Sequence, residues 1–183
     1  MRRILSVSVV ASALFAGALF AAELKSGLQP GDDIPAYNVR DITGPNEGKT
    51  LCYRCKFGAR PVVNIFAREM TPEVVALVKE IDGLVAKNGE KKMAAFVTLL
   101  TNDPDKDEAK LKEIAKKEGL KNVPLTVFDG IAGPDGYKIA EKASLTVTMW
   151  VDGDVKASHA FAKGDYKASS AKAIIEDTKK ILN

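Results

Sequence analysis

The run Val62-Val63-Asn64-Ile65-Phe66-Ala67, followed within a few residues by Thr71-Pro72-Glu73, constrains the fold more than any other stretch. An apolar run of this length, entered through Gly58 and Pro61, suits a central strand. Thr71 is a suitable N-cap, proline is tolerated at the first helical position, and glutamate complements the helix dipole. Val74, Leu77, Val78, Ile81, Leu84 and Val85 then recur at helical spacing until Asn88-Gly89 ends the element. Met93 to Leu100 is a second strand-like run. A strand, a helix and a strand in this order predict parallel pairing with a crossover helix on the sheet.

The remainder extends that unit. Asp103-Pro104 opens a second helix with Leu111, Ile114 and Ala115 on one side and Gly119 at its end. Its Lys/Glu-rich span, Asp105 to Glu118, is expected to be a solvated face. Val123–Phe128 reads as a third core strand, and Asp129 to Gly136 as a glycine-rich loop. Leu145–Val151 and Val155–Phe161, joined at Asp152-Gly153, read as a hairpin. Ser169 or Ser170 is expected to cap a last helix carrying Ile174, Ile175, Ile181 and Leu182. Upstream, Ile34–Asp41 has the alternation of an edge strand with Pro35 at its margin, and Thr43 to Lys49 is a cluster of turn formers. The predicted order is β-β-α-β-α-β-β-β-α: an α/β fold, with a mixed central β-sheet flanked by helices on both faces.

The N-terminus has the form of a targeting segment. Arg2-Arg3 precede an uncharged apolar stretch from Ile4 to Phe20, and Ala21-Ala22 precede the first acid, Glu23. Residues 1–22 are therefore expected to be a signal peptide and 23–183 one domain, periplasmic or secreted, without stable membrane insertion after cleavage. Two of the 27 Lys and Arg residues lie in that segment, and the 25 that remain face 24 Asp and Glu, a formal charge of +1. A nearly neutral chain carries no global field that argues for nucleic acid. No glycine-rich phosphate loop and no Ser-His-Asp set stands out, so neither a nucleotide nor another cofactor is implied.

Both cysteines fall in Cys52-Tyr53-Arg54-Cys55, just ahead of the core strand. Three readings compete. As a working dithiol, the pair has Arg54 and Lys56 as neighbours that favour thiolate, and a ring this small is usually exchangeable. As a structural staple, so short a loop gains little chain entropy, about 1–2 kcal/mol. As a soft-metal site, the pair could hold copper(I) alone or with Met70 and His159, whereas zinc wants four ligands. Period-two counting puts His159 on the Val155, Ala157 and Phe161 side of its strand, where a packed core histidine is the default.

From Gly31 onward the layout resembles the redoxin branch of the thioredoxin-like superfamily, the branch of the secreted thiol–disulfide proteins and the peroxiredoxins. Gly31-Asp-Asp-Ile-Pro-Ala-Tyr-Asn-Val is similar to their opening, Arg60-Pro-Val-Val-Asn-Ile-Phe-Ala to their first core strand, and Trp150-Val-Asp-Gly-Asp-Val-Lys to their final hairpin turn. The resemblance implies a thioredoxin-like fold. It also implies redox thiols between the core strand and the next helix, where Met70, Thr71, Pro72 and Glu73 stand instead. A thioether has no proton to lose and forms no mixed disulfide. The family's cis-proline position falls at Ser144, counting back from Asp152-Gly153; Pro124 is the other claimant, but it would leave an extra strand pair after it. Met70–Glu73 and Ser144 thus read as a degenerate family site. Cys52 and Cys55 lie one strand away, roughly 20–25 Å for Val62–Ala67 at about 3.3 Å per residue, without the helix dipole that acidifies the family's first cysteine.

The expected function is a secreted thioredoxin-fold protein that exchanges disulfides with a protein thiol partner through Cys52 and Cys55. The alternatives are a non-catalytic module that docks a partner on Met70–Glu73 and Ser144, and a copper-binding protein.

Overall fold

A computed structural model describes residues 24–183; the expected signal peptide, residues 1–22, lies outside the described residues. The elements are β1 (Val39–Asp41), β2 (Thr50–Leu51), α1 (Tyr53–Phe57), β3 (Val62–Ala67) and α2 (Pro72–Lys87). They continue with β4 (Ala94–Thr101), α3 (Pro104–Glu118), β5 (Leu125–Asp129), β6 (Ala143–Val151), β7 (Asp154–Ala162), α4 (Ala168–Asp177) and α5 (Lys179–Leu182). They build one seven-stranded mixed sheet in the order β2-β1-β5-β4-β3-β6-β7, with β3, β4 and β5 parallel and the other pairs antiparallel. This is the expected mixed α/β sheet.

All six residues of β3 are buried. Val63, Ile65 and Ala67 point into one hydrophobic cluster, and Val62 and Phe66 into another on the opposite face. The first cluster receives Val74, Leu77, Val78, Ile81 and Val85 of α2, Leu111 and Ala115 of α3, and Ile174 of α4. Because β3, β4 and β5 advance in one direction across the sheet, two right-handed crossovers place α2 and α3 on the same side. The second face is covered by less regular chain: Leu28, Ile34 and Tyr37 of the lead-in, Tyr137 of the β5–β6 connection, and Tyr53 and Phe57 of α1.

The helix boundaries follow their chemistry. Thr71 Oγ1 accepts the Val74 N–H at the start of α2, and the Asn88 amide donates to Leu84 and Val85 at its end. Asp103 caps α3, and Gly119, at φ 67°, closes it in the left-handed conformation. Asp152 and Gly153 both take positive φ in the β6–β7 turn, as a two-residue hairpin with an Asp-Gly pair requires. The last helix departs from expectation. It begins at Ala168 with Lys167 at the cap and no side-chain cap bond, and it breaks at Thr178, whose hydroxyl turns back to the Ile175 carbonyl.

Three further expectations are corrected. The Ile34–Asp41 strand shortens to Val39–Asp41 and is not the edge, because β2 pairs outside it. Its first half leaves the sheet to cover the second cluster. Val155 packs in that second cluster while Ala157 packs in the first, because a register shift at Met149/Trp150 turns the strand over. The cysteine segment, expected to be a loop, forms β2 and α1.

Two buried acids tie loops to this frame. Asp82 of α2 accepts the backbone N–H of Lys121, Asn122 and Val123 at 3.0, 2.6 and 2.9 Å, and so docks the entry to β5. Asp82→Ala is expected to lower unfolding stability by about 2–4 kcal/mol in urea titration, since it strands three donors. All four tyrosines are held protonated beyond their ordinary range, and burial is the leading cause for each; Tyr166 is pushed up to about 12. A phenol whose folded pKa is raised contributes its stability below the unfolded value and loses it as pH climbs beyond. No tyrosinate absorbance is therefore expected from the native protein near pH 10, and stability should fall as pH rises past that value. A native tyrosine titrating near 10 would contradict the burial.

Candidate functional site

The cysteines are joined. Cys52 and Cys55 form a disulfide with their Cα atoms 5.2 Å apart, which leaves no free cysteine among the described residues. Cys52 is the N-cap of α1, and its Sγ accepts the Cys55 N–H at 3.0 Å. The Lys56 N–H bonds the Cys52 carbonyl, and Gly58, at φ 58°, stops the helix after a single turn. Five residues are too few for periodicity to reveal, yet Tyr53 and Phe57 at i and i+4 were the available signal. Cys55 is exposed and Cys52 half-buried.

The inner side of α1 is core. Tyr53 stacks on Phe96 with ring centroids 5.0 Å apart, and Phe57 lies 6.0 Å from the same ring. The Tyr53 hydroxyl donates to Asp41 Oδ2 at 2.7 Å in a buried setting. Burial and that carboxylate keep the phenol protonated. Asp41, fully buried, also accepts the N–H of Gly44 at 2.7 Å and of Asn46 at 3.0 Å. A Cβ at Gly44 would stand 2.6 Å from both Asp41 oxygens, so only glycine lets the turn close on the carboxylate. Arg54 Nε donates to the Ile34 carbonyl at 3.2 Å, and Lys56 Nζ lies 5.8 Å over the Tyr53 ring. The two cations expected beside the sulfurs are thus engaged with the lead-in and the helix's own aromatic side.

Met70–Glu73 and Ser144, the residues expected to form a degenerate site, lie at the other end of β3. Arg60, after α1, donates to the carbonyls of Lys92 and Met93, where β4 begins; Ala67 pairs with Leu99 and Leu145, where β6 begins. Thr71, Glu73 and Ser144 are brought together around a cavity of about 300 Å³ that Tyr166 and Lys167 also line. Glu73 at the start of α2 is held below the usual carboxylate range, first by its own backbone N–H and then by Thr71. Ser144 donates to the Phe161 carbonyl at 3.2 Å and follows a trans peptide bond. Met70 turns away and is buried in the first hydrophobic cluster, while Pro72 and Met70 face a separate groove toward α3. Arg68, between β3 and α2, donates to the carbonyls of Ile131, Ala140 and Ala143 and holds the β5–β6 connection; partial burial lowers its pKa. Sequence reading missed this clamp, because a lone arginine after a strand carries no pattern.

The soft-metal set does not assemble. Met70 is in the core, and His159 Nε2 lies 3.0 Å from Asp177 Oδ2 on α4. Among the described residues no three His, Cys, Asp or Glu side chains converge as a metal site.

No protein-family model and no curated protein matches the chain. Solved structures do. A protein described as the thiol:disulfide interchange protein DsbE from Chlorobium tepidum superposes with a TM-score of 0.62 at 14% identity, over 85% of this chain and 99% of that one. A protein described as a disulfide isomerase from Bacteroides thetaiotaomicron gives 0.63 at 14%, over 87% and 94%. The peroxidoxin BcpB from Mycobacterium tuberculosis gives 0.59 at 18%, over 85% and 99%. The fold is thioredoxin-like. Within this thioredoxin-like fold, the only cysteine pair of the sequence stands on a one-turn helix before the core strand, and the first turn of α2 carries no thiol.

The Asp41–Tyr53 bond holds that helix in place. Tyr53→Phe keeps the ring and removes the donor, so it is expected to cost about 1–2 kcal/mol. Amide hydrogen exchange should rise selectively at Lys56 and Gly58. A uniform rise across the sheet would contradict a local anchoring role.

Proposed function

We propose that the protein is a secreted thiol–disulfide exchange protein that works through Cys52 and Cys55, with a protein thiol or disulfide as partner. The observation that carries this reading is an asymmetric, surface-facing CxxC disulfide on a thioredoxin-like fold. The thiol–disulfide proteins among the structural neighbours support it by analogy of fold. The apolar stretch Ile4–Phe20 behind Arg2-Arg3 supports secretion, and among the described residues no helix is long and apolar enough to cross a membrane.

The asymmetry sets the order of events. In the oxidising direction a partner thiolate attacks Cys55 Sγ, the exposed sulfur, and forms the mixed disulfide. The Cys52–Cys55 bond breaks and its electron pair leaves on Cys52, where the Cys55 N–H receives the developing thiolate. A second partner thiolate then attacks the partner sulfur of the mixed disulfide. It releases the partner as a disulfide and Cys55 as thiolate, so two electrons pass from the partner to the pair. The reverse sequence reduces a partner disulfide: Cys55 attacks and Cys52 resolves. Stabilising the leaving thiolate speeds such a step.

A second reading is a binding module on the α2 end, and the cavity joining Thr71, Glu73 and Ser144 favours it. Trapping separates the two. With a disulfide-bearing protein such as insulin, Cys52→Ser is expected to accumulate a mixed disulfide through Cys55, visible by non-reducing electrophoresis and mass spectrometry. Cys55→Ser is expected to trap at least tenfold less, and wild type to turn over. Trapping by Cys55→Ser alone would reverse the order of events, and no mixed disulfide in either variant would leave the binding module.

A further inference from the structure

A cleft next to the cysteine helix lies away from Thr71, Glu73 and Ser144. It has a volume of about 530 Å³ and opens where α1, the end of α2 and the starts of β4 and β5 meet, within the size range of ligand clefts, about 300–1,000 Å³. Phe57, Val85 and Met93 give it an apolar floor, and Lys56, Arg60 and Lys121 contribute the charged groups. No Asp or Glu lines it. None of the three cations takes part in an ion pair among the described residues. Lys56 and Lys121 are exposed. Arg60 is fixed: its Nε and Nη2 donate to the carbonyls of Lys92 and Met93, and its guanidinium lies 5.0 Å over the Phe57 ring. That leaves Nη1 for an occupant.

The cleft and the disulfide share α1. At about 100° per residue, Tyr53 and Phe57 face the cleft, Lys56 stands at its margin, Cys52 lies beyond Lys56, and Cys55 is on the opposite side of the turn. Lys56 lines the cleft and is the chain neighbour of the exposed Cys55, so a partner segment seated in the cleft reaches that cysteine by passing over Lys56 and around the single turn.

We propose that this cleft seats the redox partner through an acidic, partly apolar polypeptide segment next to the partner's reactive cysteine, an assignment that rests on the exchange reading of Cys52 and Cys55. Apolar side chains of that segment lie on Phe57, Val85 and Met93, and its carboxylates meet Lys56, Arg60 and Lys121. Because the chain after residue 22 is nearly balanced in charge, 25 Lys and Arg against 24 Asp and Glu, this one-sign cleft is the feature that selects among partners, since charge complementarity governs encounter and register more than raw affinity.

Two cysteine peptides of identical apolar sequence, one flanked by glutamates and one by lysines, test it. Rates of reduction of the oxidised full-length protein are compared per thiolate, so that the flanking charges' effect on the thiol pKa is removed. The acidic peptide is expected to react about tenfold faster at low ionic strength, with the margin collapsing in about 0.5 M salt. Lys121→Glu should abolish or invert the preference, while Lys116→Glu, on exposed α3, should retain it. Serine versions of the peptides, followed by fluorescence anisotropy, read docking without chemistry. Equal rates together with equal anisotropy overturn the cleft assignment and leave its cations as counterparts of the nearby helix C-termini. An acidic preference in anisotropy with no exchange by either peptide retains the cleft and overturns the exchange reading instead.

Discussion

Burial of β3 on both faces is the constraint on which the rest depends. Six consecutive residues at near-zero exposure oblige the chain to cover the sheet twice. One cover is regular: α2, α3 and α4 supply apolar stripes to Val63, Ile65 and Ala67. The other is assembled from the lead-in, the β5–β6 connection and the single turn of α1, joined by aromatic contacts around Phe96 and Tyr37. Even the polar residue of the strand is absorbed, since Asn64 donates to the Tyr37 hydroxyl at 2.8 Å.

That division explains where the cysteines are. The first turn of α2 is occupied by a core methionine, a capping threonine, a proline and a glutamate, so it stabilises the helix and supplies no thiol. The cysteines instead sit on the outer side of the second cover. Their helix is held from beneath by Tyr53 on Phe96 and by the Asp41 carboxylate, which also gathers the 43–49 turn. The sulfurs are thus surface groups on a rigidly seated support, which keeps the ring fixed relative to the neighbouring cleft.

Long amphipathic helices and the core strands were legible, because Thr71-Pro72-Glu73, Asp103-Pro104 and Gly119 are strong local signals and the apolar runs are continuous. The mixed sheet followed from their order, and the thioredoxin-like fold from the resemblance of the Gly31, Arg60 and Trp150 stretches. What was not legible has a common cause: the second face is built from contacts distant in sequence. Nothing local tells that Ile34–Tyr37 leaves the sheet, that Arg68 clamps three carbonyls of a loop more than sixty residues away, or that a register shift turns Val155 over. The cysteine helix was missed because one turn is shorter than a periodicity window. Of the residues expected at the degenerate site, Thr71, Glu73 and Ser144 line one cavity, whereas Met70 belongs to the core.

The most direct test of the account is the reduction potential of the Cys52–Cys55 disulfide in the purified protein, equilibrated against glutathione and read by mass after thiol alkylation. A small, surface-facing ring with a stabilised leaving sulfur predicts a value near about −200 mV; a value below about −300 mV, the range of structural disulfides, would contradict exchange.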